Sequence, residues 1–231
     1  IRNTMRFVLG NLSDFKASDL IEISKLEGVD QYMLVELNQL MKGYEEAFNQ
    51  YDFAEANQLI LNCFTNTLSA FYMDFTKDIL YIEKADSLRR RQVQTVLYYY
   101  AKTMMKLLSP ILVFTSEELH DHFHCDENKA ESIFLETKPE LLPVDNAEAI
   151  KEYYDRFLLL RKDVLKSLEE LRNAKEIKSN MEAKVTICLK DSYQDMDKLA
   201  DVLKQLFIVA KVQLVNDSTD LEEYDTAYIH S

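Results

Sequence analysis

Glycine and proline are scarce in this chain, and their scarcity limits its possible folds more than any other feature. Only three glycines and three prolines occur among 231 residues. Compact β-proteins and glycine-rich phosphate-binding folds need more turn residues than that, because glycine supplies the backbone angles of tight turns. Both residues weaken helices, so a chain that lacks them is suited to long ones. The composition therefore predicts a mainly α fold.

Apolar residues recur at helical spacing through the first half of the chain. In residues 29–51 they alternate steps of four and three and so share one face, formed by Met33, Leu37, Leu40, Tyr44, Ala47 and Tyr51. Further helices are predicted at 1–13, 53–82, 87–108 and 111–123. Asp52 and Asp86-Ser87 stand where helix caps are expected, and Pro110 interrupts the pattern after 108. These segments predict an antiparallel helical bundle.

The pattern changes in the second half of the chain. Residues 124–146 are polar and contain Pro139 and Pro143, which predicts a linker. A long helix is predicted at 147–175, then a strand at 183–189, a helix at 192–208 and a strand at 210–216, with the two strands parallel. The last fifteen residues are acidic, and we expect them to be poorly ordered. Two domains follow: a helical bundle over 1–146, and a long helix with a small α/β subdomain over 147–231.

Charge and cysteine usage restrict the possible partners. The net charge of −13 argues against nucleic-acid binding when taken alone, because phosphate contacts require Lys and Arg. The distribution of cations matters more than their sum, however, and the clearest concentration is Arg89-Arg90-Arg91. Three widely spaced cysteines suit reduced thiols, and neither a membrane span nor a signal peptide is present, so we expect a cytoplasmic protein. The first residues resemble the middle of a helix, so we expect the chain to be part of a longer one.

Catalytic motifs are absent from the sequence, and one cluster invites a metal interpretation. His120, His122, His124 and Cys125 offer zinc-binding atoms, but His122 points away from the face that the other two histidines share, and four ligands need a second pair. We favour a solvated helix end, and we expect no catalytic residue and no metal site. Glu117 and Glu118 follow Thr115-Ser116 and are interpreted as the capped start of a helix.

Two other features each allow a structural and a functional interpretation. Arg89-Arg90-Arg91 is either a solvated basic face with ion pairs or a phosphate clamp, since consecutive residues fan around a helix. The aromatic runs Tyr98-Tyr99-Tyr100 and Phe71-Tyr72 either pack in the core or stack on unpaired bases. From the residues alone, the chain is a helical interaction module whose partner is undetermined.

Six motifs, in order over about residues 1–190, resemble those of class I isoleucyl-tRNA synthetases. Isoleucyl enzymes carry I-R-N-T-x-R-F, matched by residues 1–7, a turn matched by Tyr51-Asp52-Phe53, and S-x-F-Y-x-D-x-x-K-D, matched by residues 69–78. They also carry A-D-S-x-x-R-R-x-x-Q-T, P-I-L-x-F-T-x-E-E and K-x-I-G, which are similar to residues 85–95, 110–118 and 175–178. Lys178 stands where the family commonly has glycine. The valyl, leucyl and methionyl enzymes share the bundle, but the motifs matched by residues 69–78 and 85–95 favour isoleucine.

The resemblance implies a fragment of an enzyme whose active site lies elsewhere. The parent enzyme would attach isoleucine to its tRNA using ATP and Mg²⁺, with a zinc site in a tail beyond Ser231 and no cofactor in this segment. The fragment would bind the anticodon stem and loop and contact the catalytic domain, with no membrane partner. The residues that we expect to contact RNA are Arg2, Asn3, Arg6, Lys77, Arg89, Arg90, Arg91 and Lys175. Two alternatives remain: the same domain of a valyl, leucyl or methionyl enzyme, or a protein–protein scaffold that binds no RNA.

Overall fold

A computed structural model describes all 231 residues, which form two compact units, Ile1–Lys151 and Glu152–Ser231. The helices are α1 (Arg2–Asn11), α2 (Val29–Asn49), α3 (Phe53–Asn62), α4 (Met73–Ile82), α5 (Leu88–Leu108), α6 (Val113–Asp121), α7 (Ala147–Asn173) and α8 (Ala200–Phe207). The strands are β1 (Lys184–Leu189), β2 (Lys211–Leu214), β3 (Glu222–Glu223) and β4 (Ala227–His230). The predicted mainly α class with a small α/β appendage is confirmed. No helix is both long and apolar enough to cross a membrane.

The division between the two units falls inside α7, whereas the predicted domain boundary lay just before that helix. In the first unit, α5 occupies the centre and packs against α1, α2, α4 and α6. Its buried side chains include residues on several sides of the helix, as expected for an element that is surrounded by neighbours. The α2 face was predicted correctly from Met33 to Ala47. Tyr51 was wrongly included, because α2 ends at Asn49 and Tyr51 is an exposed turn residue with φ of 59°.

The predicted helix over 53–82 is continuous but not uniform. Residues Cys63–Tyr72 form a π-helix between α3 and α4 and bury Phe64, Leu68 and Tyr72. The predicted caps at the start of α3 and at the start of α5 are present. The Asp52 carboxylate accepts a hydrogen bond from the Glu55 amide at 3.0 Å, and the Ser87 hydroxyl accepts one from the Arg90 amide at 3.2 Å.

The segment 124–146 packs against the bundle, so the linker prediction is wrong. The Asn38 side chain both donates to the Leu142 carbonyl and accepts from the Leu142 amide, each at 2.8 Å. Buried Asp126 accepts hydrogen bonds from the Tyr98 hydroxyl at 2.8 Å and the Lys102 ammonium at 2.6 Å. Polar composition predicted a solvated connector, but these polar groups are satisfied by the bundle instead of by water.

The second unit is built on a four-stranded sheet in the order β2-β1-β4-β3. β1 and β2 are parallel, as the alternating apolar pattern predicted, while β4 pairs antiparallel with both β1 and β3. One side of the sheet is buried and supplies Val185, Ile187, Leu189, Ala227 and Ile229 to an apolar core. The helical side of that core includes Phe157 and Phe207, whose stacked rings lie 5.9 Å apart.

The acidic end of the chain is ordered, so the prediction of a poorly ordered tail is wrong. Buried Asp163 on α7 accepts hydrogen bonds from the Thr226 amide at 2.9 Å and the Thr226 hydroxyl at 2.7 Å. This contact fixes the chain at the start of β4, and β4 then pairs with β1 through backbone hydrogen bonds. The strand is only four residues long, which is too short for its alternation to stand out among acidic neighbours.

Asp163→Ala is expected to lower the free energy of unfolding of the second unit by about 2–3 kcal/mol, because it leaves the buried Thr226 amide and hydroxyl without an acceptor. Urea unfolding with amide hydrogen exchange of β4 measures both effects. Glu169→Ala, on the exposed side of the same helix, is the control and is expected to change little. Equal stability of the two variants would contradict this role of Asp163.

Candidate nucleic-acid interface

Arg89 binds a buried carboxylate inside the helical bundle. Its guanidinium forms an ion pair with Asp30 at the start of α2, and Asp30 is only 1% exposed. The Tyr72 hydroxyl donates to the same carboxylate at 2.8 Å. Burial and the neighbouring Asp30 charge raise the pKa of Tyr72 well above its usual value, so the phenol stays protonated and keeps donating. Arg89 therefore neutralises a charge that the core could not otherwise hold.

Arg90 and Arg91 both reach the connector after α1. Arg90 forms a two-pronged contact with the Asp14 carboxylate, in which Nη2 donates to Oδ1 at 3.0 Å, and its Nε donates to the Leu80 carbonyl at 3.1 Å. Arg91 donates to the Asp14 carbonyl at 3.1 Å. The hydrogen bond from Arg90, aided by one from Gln94, holds the pKa of Asp14 below its usual value despite partial burial. Asp14 therefore stays ionised over the neutral and mildly acidic range.

The arginine triplet thus has partners within the bundle at all three positions. The side chains of Arg90 and Arg91 are 12% and 17% exposed, and that of Arg89 is 39% exposed. Ion pairing, one of the two interpretations of the triplet, is what the structure shows. Contact of these three residues with RNA stays a prediction.

The other predicted contact residues lie mainly on α1 and α4. Arg2 pairs with Glu118 on α6, with Nη2 at 2.8 Å from Oε2, and Lys77 pairs with Asp74 at 2.9 Å one turn earlier on α4. Both pairs are solvent-exposed, and such pairs contribute little stability, so a phosphate competes with them easily. Asn3 and Arg6 are exposed on α1.

Lys175 has a backbone role that the sequence did not reveal. It follows α7 with φ of 63°, and its amide donates to the Arg172 carbonyl at 3.0 Å. The next amide, of Glu176, donates to the Leu171 carbonyl at 3.0 Å, which completes a left-handed helix end that usually carries glycine. The Lys175 side chain is exposed, so its predicted RNA contact is sterically open and untested.

The aromatic runs Phe71-Tyr72 and Tyr98-Tyr99-Tyr100 pack in the bundle, which was the structural interpretation of the two. Tyr72, Tyr98 and Tyr100 are buried, and the Tyr100 hydroxyl donates to the Met33 carbonyl at 2.8 Å. Exposed aromatic rings lie elsewhere, and one of them is Tyr51 in the turn after α2, which is 80% exposed. Tyr81, near the end of α4, is 68% exposed, and Phe114, in the first turn of α6, is 89% exposed.

The histidine cluster does not form a ligand set. His120 is buried, and its Nε2 lies 2.9 Å from the Ala130 carbonyl. Burial raises the pKa of the neighbouring Cys125 thiol to about 12, which disfavours the thiolate that zinc requires. No group of three or more His, Cys, Asp or Glu side chains in the structure is arranged to hold a metal ion.

The start of α6 differs from its prediction. Glu117 accepts from the Ile133 amide at 3.0 Å, and the helix begins at Val113, so Thr115-Ser116 is not a cap as predicted.

Arg90→Ala is expected to lower the free energy of unfolding by about 2 kcal/mol, because it removes charged hydrogen bonds to Asp14 and a bond to the Leu80 carbonyl. The pKa of Asp14 is lowered in the folded chain, so its contribution is present above about pH 4 and is lost as the pH falls further. Below about pH 4, the stability of the variant should therefore fall less steeply than that of the unmodified chain. Urea unfolding at several pH values measures this, with Arg6→Ala as the control; equal curves for the two variants would contradict it.

Comparison with known proteins places the chain in one family. A family model described as the anticodon-binding domain of tRNA ligase matches residues 30–187. The isoleucine–tRNA ligases of Bacillus cereus strain B4264 and Bacillus anthracis strain CDC 684 are both 44% identical to the chain over 216 residues. Those residues make up 93% of this chain and 23% of each relative, so the chain spans about a quarter of their length. The chain belongs to the family of anticodon-binding domains of tRNA ligases.

Proposed function

We propose that the chain recognises the anticodon stem and loop of an isoleucine tRNA, as part of an isoleucine–tRNA ligase. The observation that carries this proposal is 44% identity over 93% of the chain to proteins of that name, together with the match to the anticodon-binding family. The parent protein would attach isoleucine to its tRNA with ATP and Mg²⁺, and would carry its active site and any zinc-binding tail outside these residues. The role of this chain would be to position the tRNA.

Exposed cations and an exposed ring lie on two neighbouring helices of the bundle. Thr4 and Ser69 contact each other at 3.4 Å, and the ring centroids of Phe7 and Tyr81 lie 6.3 Å apart, so α1 lies beside the π-helix and α4. Lys77 precedes Tyr81 by one turn of α4, so both share a face. Arg2 and Arg6 line a hollow that also includes Glu118 and Leu119 of α6. We call the set Arg2, Asn3, Arg6, Lys77 and Tyr81 the α1–α4 surface.

The α1–α4 surface has the chemistry that single-stranded RNA requires. Arg2, Arg6 and Lys77 would contact phosphates, which position the RNA without reading its sequence. Tyr81 would stack on an unpaired base, and the Asn3 amide would hydrogen bond to a base edge or ribose. Arg6 is the first candidate, because its guanidinium is exposed and forms no ion pair within the chain.

The other residues that were predicted to contact RNA contribute less to the proposed binding. Arg89 keeps part of its side chain exposed and would reach a phosphate while still holding Asp30. Arg90 and Arg91 would have to exchange Asp14 for a phosphate, at a cost to the bundle. Lys175 is exposed in the second unit and would add one further phosphate contact.

The proposal predicts that the chain binds an isoleucine tRNA transcript more tightly than the same transcript with another anticodon, or an unrelated tRNA. Arg6→Ala should weaken binding to all three RNAs by a similar factor and reduce the slope of log K against log salt by about one, because a phosphate contact carries no sequence information. A filter-binding or anisotropy titration at several salt concentrations measures both quantities.

Lys42→Ala is the matched control, since Lys42 is an exposed cation on α2, away from the α1–α4 surface. It should leave affinity and slope unchanged. Equal binding of the three RNAs would contradict anticodon recognition, and an unchanged slope for Arg6→Ala would remove Arg6 from the contact set.

A further inference from the structure

The sheet of the second unit has one face that its helices leave uncovered. Side chains alternate across the sheet, and the buried side of β1 is filled by Val185, Ile187 and Leu189. The opposite side is exposed or half-buried on every strand. We call it the outer sheet face, formed by Lys184, Thr186, Cys188, Lys190, Lys211, Gln213, Glu223, Tyr228 and His230.

Strand register places two lysines side by side on this face. Lys184 of β1 pairs in register with Lys211 of β2, and residues paired in this way project to the same side of the sheet. Both side chains are exposed, and neither forms an ion pair or a hydrogen bond in the structure. Like charges directly opposite each other destabilise a sheet. An anion between the two ammonium groups would remove that repulsion.

Hydrogen-bonding side chains continue from the lysine pair across the face. Gln213, Thr186 and His230 lie in one row, because Thr186 is in register with both of the others. The next row joins Cys188 to Tyr228, whose ring lies 5.3 Å from the Lys190 ammonium. Glu223, in register with Tyr228, is the one acid on this face and pairs with Lys190 at 2.9 Å. The face is therefore cationic in a chain whose net charge is −13.

A cleft extends the face at the carboxyl ends of the parallel strands. Its volume is about 670 Å³, and its lining includes Lys190, Gln194, Asn216 and Tyr228. This end of a parallel strand pair is where open α/β sheets usually bind ligands. The lining also includes the Asp191 carboxylate, and Lys190 is paired with Glu223, so the amides and the phenol ring are the groups available to the edges and face of an unpaired base.

We propose that the outer sheet face is a second RNA-binding surface, which holds an unpaired stretch of the bound tRNA with its phosphates on Lys184 and Lys211. The inference rests on the proposed function, since it takes tRNA as the partner. Four-stranded sheets with one face on helices and the other open present such a surface to single-stranded RNA. The face carries no large exposed apolar side chain, so a hydrophobic peptide would gain little there.

The test compares two double variants of the whole 231-residue chain that lose the same charge. Lys184→Gln with Lys211→Gln removes the lysine pair, and Lys198→Gln with Lys204→Gln removes two exposed lysines from the helical segment 191–207 of the same unit. Titration with the isoleucine tRNA transcript at several salt concentrations gives affinity and salt slope. We expect the sheet variant to lose about ten- to thirtyfold in affinity at ~0.1 M salt and about 1.5 in slope, because two phosphate contacts are lost. The control variant should match the unmodified chain.

Three outcomes distinguish a failure of this inference from a failure of the proposed function. A loss of tRNA affinity in the sheet variant alone supports the RNA-binding face. Without RNA, the melting temperature of that variant should equal or exceed that of the unmodified chain. Binding by the unmodified chain with equal affinities for the two double variants would overturn the face and leave tRNA recognition intact. Absence of tRNA binding by the unmodified chain, even at low salt, would overturn both.

Discussion

The buried carboxylate of Asp30 is the constraint on which the helical unit depends. It lies at the start of α2, is paired with Arg89 at the start of α5, and accepts a hydrogen bond from Tyr72 at the end of the π-helix. An unpaired charge in this position would cost several kcal/mol, so the three elements must come together in one register. At the surface, the Asp14 carboxylate accepts hydrogen bonds from Arg90 and Gln94, and its carbonyl accepts one from Arg91, so the connector after α1 is held against α5.

These two carboxylates bear on how an acidic chain would bind RNA under the proposed function. The chain has 27 basic and 40 acidic residues, and many of its cations form ion pairs with acids. The arginine triplet is committed to such acids, whereas Arg6 on α1 and Lys184 with Lys211 on β1 and β2 are not. Cations without internal partners are the ones that phosphates neutralise at no structural cost. On this account, RNA binding would depend on where unpaired cations lie together with hydrogen-bonding side chains, on the α1–α4 surface and the outer sheet face, and net charge is a poor guide to it.

Local patterns predicted the elements of the fold but not their long-range partners. Helical spacing, the caps at Asp52 and Ser87 and the strand–helix–strand pattern all act within a few residues, and all are present. Arg89 and Asp30 lie 59 residues apart, so no spacing in the sequence revealed that the triplet serves the bundle. The order of β4 depends likewise on Asp163, 63 residues before Thr226. Residue type was enough to propose candidate contacts, whereas the division into paired and unpaired cations required the tertiary contacts.

Nucleotide-resolution footprinting of an isoleucine tRNA transcript in the presence of the chain tests the central claim most directly. If the chain recognises the anticodon stem and loop, hydroxyl-radical protection should be confined to that arm, and it should weaken there when Arg6 is replaced by alanine. Protection of the acceptor arm, or uniform protection that does not depend on Arg6, would contradict the account.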